Sequence, residues 1–161
     1  MIPVISVVGW HDVGKTAFIV ALVAELKRRG LRVATIKHTR GSFDIDREGA
    51  DTWRHARAGS DVVVISGESK LAFIERRGRE LPLDDIVARL PSDIDLVITE
   101  GYKREEKPKI EIVAREHGNK RIASPDELIA LVEQEETEKD NPFSMEVVES
   151  VVRSLEKKGI I

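Results

Sequence analysis

The chain has 161 residues, 34% of them charged, with a net charge of −3 and no cysteine. That length favours one domain around a single core, residues 1–161, able to fold without staples. The missing cysteine excludes a disulfide framework, a thiolate metal site and a Cys nucleophile, and the charge balance gives no basic field for long nucleic acid.

No stretch approaches the ~20 apolar residues that cross a bilayer. The N-terminus lacks the basic region and small-residue cleavage site of a signal peptide. The expectation is therefore a soluble cytoplasmic protein with no membrane contact. Abundant Lys, Arg and Glu beside only two Asn and one Gln is a composition associated with thermophilic sources.

In chain order, "IPVISVV" (2–8) is a continuous β-branched run, as in a strand buried on both faces, with Pro3 tolerable at its start. Residues 15–29 follow at helical spacing, with Phe18, Leu22 and Leu26 joined by Val20 and Val23. Basic residues fill the last turn and Gly30 stops the helix. "RVATIKH" (32–38) is a second strand, so strand, helix and strand make a parallel βαβ unit. The polar stretch 39–51 reads as a loop and "TWRHARAG" (52–59) as a short helix. "DVVVIS" (61–66) and "KLAFIER" (70–76) form a hairpin, expected on an edge of the sheet. "LPLDDIVARLP" (81–91) reads as a helix and "DLVITEG" (95–101) as a second strongly buried strand. "PKIEIVAR" (108–115) alternates Ile110 and Ile112 with Glu111, a further strand. "LIALV" (128–132) is either part of a helix capped by Ser124 or a short buried strand, since periodicity does not separate the two in so short a run. An acidic stretch, "EQEETEKDN" (133–141), reads as an exposed loop, and a closing helix at 142–159 is capped by Ser144 and stopped by Gly159. The whole is α/β, a three-layer fold with a mostly parallel sheet and an antiparallel edge hairpin.

The chemistry starts at "GWHDVGKT" (9–16), which is G-x-x-x-x-G-K-T between a buried strand and a helix. Such a turn aims successive backbone N–H groups and the helix's positive end at a phosphate. Gly9 and Gly14 allow the tight path, Lys15 reaches the terminal phosphates, and Thr16 offers its hydroxyl to Mg²⁺. A P-loop domain needs a carboxylate near that ion. Asp95 opens its strand and belongs at the wrong end of a parallel sheet, whereas Glu100 closes the strand at the ligand-binding end. Lys15 and Glu100 are thus the candidate catalytic pair. Lys37 and His38 end the second strand on the same edge, and the loop beyond them carries Asp44 and Asp46, candidates for a second carboxylate on the metal. His11, His55 and His117 lack metal-ligand spacing. Asn119-Lys120-Arg121-Ile122 fails the guanine-reading N-K-x-D pattern at its fourth position.

The P-loop, "IKHTRGSFDIDREGADTWRHARAGSD" (36–61) and "DLVITEGYKREEKPKIEIVAR" (95–115) together resemble the molybdopterin-guanine dinucleotide biosynthesis protein B (MobB) family. That family shows a strand ending in Lys-His, then "FDID", "EG[FY]K" and "PKIE", here in order across residues 2–115. The resemblance implies the P-loop NTPase fold and a GTP-binding accessory protein, using Mg²⁺ and with at most weak GTPase activity. It would assist the guanylyltransferase that joins GMP to molybdopterin, itself a possible ligand, and would act as a homodimer. Carried over, it places Gly9, His11, Asp12, Val13, Gly14, Lys15, Thr16 and Ala17 on the nucleotide. It places Thr16, Glu100, Asp44 and Asp46 near the metal, adds Gly101 and Lys103 as candidates beside Lys37 and His38, and favours a strand at 128–132. The chain departs from the family at Arg40-Gly41 and in the bulky interior His11-Asp12-Val13. The alternative class is a P-loop enzyme, either a small-molecule kinase or a metal-insertion GTPase. An exposed edge of the 61–76 hairpin is the expected dimer element.

Overall fold

The first strand, β1 (Val4–Gly9), lies at the centre of a five-stranded sheet with order β2-β5-β1-β6-β7. Its neighbours are β2 (Val33–Lys37), β5 (Leu96–Glu100), β6 (Lys109–Val113) and β7 (Leu128–Glu133), every pairing parallel. The computed structural model describes residues 2–114, 121–134 and 143–161. The acidic stretch from 135 onward, His117 and the Asn119-Lys120 pair fall outside these residues. By contact the chain divides into two compact units, Met1–His38 with Leu83–Ile161, and Thr39–Pro82.

In the larger unit the sheet alternates with period two. Ile5, Val7, Leu96, Ile98, Ile110 and Ile112 point into one core. That core is closed by α1 (Lys15–Arg28) and α4 (Met145–Lys157), which contribute Phe18, Leu22, Leu26, Val148, Val152 and Leu155. Phe18 meets Phe143 edge-on, ring centroids 5.2 Å apart. On the opposite face Val97 packs with Leu83 and Val87 of the short helix α3 (Leu83–Val87). This helix is shorter than the 81–91 expectation.

Two side chains of α1 invert the apolar reading. Val20 is 65% exposed, because it lies two residues, about 200° of helical turn, from Phe18. Glu25 lies on the inward side, is buried, and accepts from Arg28 at 2.7 and 2.8 Å and from Arg29 at 2.6 Å. Arg29 also reaches Glu156 of α4 at 2.7 Å, so the pair ties the two helices. Ser144 caps α4 as expected, accepting from the Val147 amide.

The second face of β6 is polar. Its alternation is real, yet Glu111 is wholly buried rather than solvated, and so is Lys109. Both are covered by irregular backbone, whose N–H and C=O groups require partners. Glu111 accepts from the amides of Ile122 and Ala123 at 2.7 and 3.2 Å. Lys109 donates to the Glu105 carbonyl at 2.7 Å and pairs with Glu127 at 2.6 Å. Glu127 in turn accepts from the Ser124 hydroxyl, closing a turn rather than capping a helix. This resolves "LIALV": it continues as strand β7 beside β6.

The smaller unit holds α2 (Asp51–Arg57) and the hairpin β3 (Val62–Ser66) with β4 (Leu71–Glu75). The hairpin is antiparallel as expected, but it is a sheet of its own, not an extension of the five-stranded sheet's edge. One face presents Val62, Val64, Leu71 and Phe73, all exposed, with Val64 directly opposite Phe73.

The Glu25 pairing makes stability depend on pH. Hydrogen bonds from Arg28 and Arg29 lower its pKa from 4.5 to about 2. A depressed acid contributes stability that is complete above the unfolded value and is lost as pH falls through the folded one. Urea midpoints of wild type should therefore fall more steeply between pH 4.5 and about 2 than those of Glu25→Gln. Parallel curves over that window would show that the pair contributes nothing.

Candidate nucleotide-binding edge

Parallel pairing brings the C-terminal ends of β2, β5 and β1 to one edge. Val7 is the register partner of Glu100, and Glu100 is the partner of Lys37. The Gly101 amide donates to the Val7 carbonyl at 3.1 Å and the His38 amide to that of Glu100 at 3.0 Å. These bonds carry the ladder one residue past the strands and fix the start of each loop.

The turn from β1 into α1 is sterically specified. A Cβ on Gly9 would lie 2.6 Å from the Ile112 carbonyl oxygen and 2.8 Å from Val13 Cγ2. Gly14 caps α1 in the left-handed region, φ 79°, with no side-chain cap. The amides of the first helical turn are left pointing outward, and no acidic residue stands in that turn. This is an anion-binding arrangement. Of the interior residues, His11 and Asp12 are exposed, whereas the Val13 side chain is fully buried in the core. Val13 can therefore serve a ligand only through its backbone, and its side chain anchors the loop. Asp12 and Tyr102 are the non-glycine residues with positive φ among the described residues, at 60° and 49°. They lie in the loops that follow β1 and β5, and strain of this kind gathers at functional sites.

Lys15 Nζ donates to the Trp10 carbonyl at 2.6 Å, folding the loop's cation back on its own backbone. Partial burial lowers its pKa, opposed by the nearby charges of Glu100 and Asp12. The Thr16 hydroxyl lies 3.0 and 3.1 Å from the two Glu100 carboxylate oxygens. Lys37 Nζ is 3.2 Å from Glu100 Oε1. A hydroxyl and a carboxylate meeting at one point, both hard oxygen donors, fit Mg²⁺, which takes few protein ligands and completes its shell with water and phosphate. Asp95 sits at the opposite end of β5, accepting from the Arg32 amide at 2.7 Å, as its position in a parallel strand required.

The remaining candidates divide. The His38 ring lies 4.9 Å from the Tyr102 ring, centroid to centroid, with the planes tilted at 47°. Gly101 packs against His38, and Lys103 Nζ stands 5.5 Å above the Trp10 ring, a cation–π contact between the two loops. Asp44 and Asp46 lie in the smaller unit, where Asp46 Oδ1 accepts from the Arg47 amide. Its other oxygen is buried without a hydrogen-bond partner among the described residues, the kind of group a cation satisfies. The burial of two charged residues of β6, Lys109 and Glu111, escaped the sequence reading. Only their place in "PKIE", beside the functional strand, signalled them.

Comparison with known proteins agrees with this fold. The family model described as molybdopterin guanine dinucleotide synthesis protein B (MobB) matches residues 4–134. The molybdopterin-guanine dinucleotide biosynthesis adapter protein of Haemophilus influenzae is 33% identical over 132 residues, 81% of this chain and 74% of that protein. The adapter protein of the same description from Escherichia coli is 31% identical over 132 residues, 80% and 73%. A crystal structure of molybdopterin-guanine biosynthesis protein B superposes with a TM-score of 0.69 at 34% identity, covering 96% of this chain and 97% of that one.

Because the Gly9 position has no room for a side chain, Gly9→Ala should lower stability by about 1–3 kcal/mol through overpacking against Ile112 and Val13. Urea denaturation measures this, and an unchanged midpoint would show that the loop relaxes freely.

Proposed function

The chain belongs to the molybdopterin guanine dinucleotide synthesis protein B (MobB) family, and on that premise we propose that it is the GTP-binding adapter of molybdopterin-guanine dinucleotide biosynthesis. In this reading it works in the cytoplasm beside the guanylyltransferase that joins GMP to molybdopterin. The observation that carries the nucleotide half of the reading is the meeting of Thr16, Glu100 and the uncapped start of α1 at one point of the sheet edge.

The residues divide the work. Backbone amides from Gly14 to Ala17 bind phosphate oxygens. Lys15 leaves the Trp10 carbonyl for the terminal phosphates, and partial burial of its ammonium makes an anionic partner favourable. Thr16 and Glu100 hold Mg²⁺, which when bound neutralises phosphate charge and fixes the triphosphate's orientation. Asp46, with its unpartnered buried oxygen, is the acidic residue of the 39–51 segment best suited to a cation. Positioning and charge neutralisation are what this set provides, which suits a protein that presents a nucleotide with at most slow hydrolysis of its own.

The exposed apolar face of the β3–β4 hairpin supports a homodimer, since a two-stranded sheet showing Val64 and Phe73 to water is a ready pairing surface. Light scattering after size exclusion should give twice the chain mass for wild type and a monomer for the double variant Val64→Glu, Phe73→Glu. A monomeric wild type at micromolar concentration would remove the dimer.

For the nucleotide, calorimetry should find tighter binding of GTP than of ATP, with Lys15→Ala losing triphosphate affinity by at least a hundredfold. Glu100→Gln should keep the nucleotide while losing most of the Mg²⁺ dependence. Added to the transferase with GTP and molybdopterin, the protein should raise the yield of the dinucleotide. Full GTP affinity in Lys15→Ala would overturn the site, and rapid transfer of phosphate to a small acceptor would overturn the adapter role.

A further inference from the structure

Lys37 and Glu100 are register partners on the adjacent strands β2 and β5, and both close their strands at the phosphate-binding edge. Lys37 Nζ approaches Glu100 Oε1 at 3.2 Å, and that same oxygen accepts the Thr16 hydroxyl. The two partners are unequally placed: the Glu100 side chain is 16% exposed, that of Lys37 63%. An enclosed carboxylate requires a compensating cation whichever ligand is present. Lys15 feels the Glu100 charge, but its ammonium donates to the Trp10 carbonyl, whereas Lys37 makes an ion pair with that carboxylate. The contact falls to Lys37.

A divalent ion held by Thr16 and Glu100 would take the oxygens that Lys37 now touches. Two cations at one carboxylate oxygen repel each other, so the metal competes with the ammonium for Oε1. For bare Mg²⁺ this exchange is poorly compensated, since the ion gives up water for two protein oxygens and leaves Lys37 without its partner. A triphosphate changes the balance, as its oxygens complete the metal shell and offer the displaced ammonium a new anion.

We propose that Lys37 is a positioning residue that holds Glu100 in place of the divalent cation until nucleotide arrives, so that metal and nucleotide bind together. The inference rests on the reading of Thr16 and Glu100 as the Mg²⁺ holders. Coupling between two ligands is reciprocal, so it is visible from either side.

Mn²⁺ titrated into nucleotide-free protein, followed by its paramagnetic resonance signal, reads the exchange directly. Lys37→Met and Lys37→Gln should each bind Mn²⁺ about two- to fivefold more tightly than wild type, the range set by a partly exposed ion pair. Lys37→Arg, which keeps the charge, should match wild type. The ratio of GTP affinities with and without Mg²⁺ should fall by a similar factor in both neutral variants. Unchanged Mn²⁺ affinity in Met and Gln variants, with Mg²⁺ still raising GTP affinity in wild type, overturns the exchange and leaves the metal site standing. If Mg²⁺ does not raise wild-type GTP affinity, the metal site fails and the exchange fails with it. Loss of GTP affinity in the neutral variants without any change in Mn²⁺ binding makes Lys37 a phosphate ligand instead and also overturns the proposal.

Discussion

The parallel pairing of β1 with β5 on one side and β6 on the other is the constraint on which the functional edge depends. It sets Val7 level with Glu100 and Gly9 level with Ile112. The first relation brings a carboxylate beside the phosphate-binding turn. The second brings β6 so close that only glycine fits at the turn's start. A slip of one residue in either pairing would turn the slipped strand's core side chains to the wrong face, so the hydrophobic core and the site are specified by the same register.

The core also explains why charged groups are buried here. Apolar residues of α1 and α4 cover one face of the sheet, but much of the other face of β6 is covered by loops. Loop backbone carries hydrogen-bonding groups that a helix would satisfy internally. Glu111 answers two amides and Lys109 answers carbonyls of the segment that follows β5. Through Lys109 the loop holding Tyr102 and Lys103 is tied at its far end, while the His38 and Trp10 rings contact it at the near end. Lys109 therefore ties the segment that follows β5, and Glu111 the segment that precedes β7.

The outline of the site was legible because its signals are local or periodic. Glycine spacing marks a turn, β-branched runs mark buried strands, and a carboxylate closing such a strand lies at a predictable end of a parallel sheet. Asp95 and Glu100 were separated on that ground alone, and the structure places Asp95 at the opposite end on a backbone amide. What was not legible depended on residues distant in sequence. Alternation around Glu111 looks the same whether its second face meets water or a loop. Val20 faces water although it is apolar, and Glu25 lies inside, because helical phase and two flanking arginines outweigh residue type. The hairpin's strands were evident, but nothing local says which sheet they join.

By itself, then, the sequence determined a glycine-rich turn between strand and helix with the phosphate-binding pattern, a parallel α/β frame, and a carboxylate at the end of a strand beside that turn. Each follows from backbone geometry and from the period of apolar residues, which act over a few positions. Only the tertiary structure decided that Thr16 and Lys37 converge on the same oxygen of Glu100 and that Lys15 rests on the Trp10 carbonyl. It alone also decided that Lys109 and Glu111 lie in the interior. These are contacts between chain segments brought together by strand register, and a charge's partner is chosen by distance and burial in the folded chain, which no local pattern encodes.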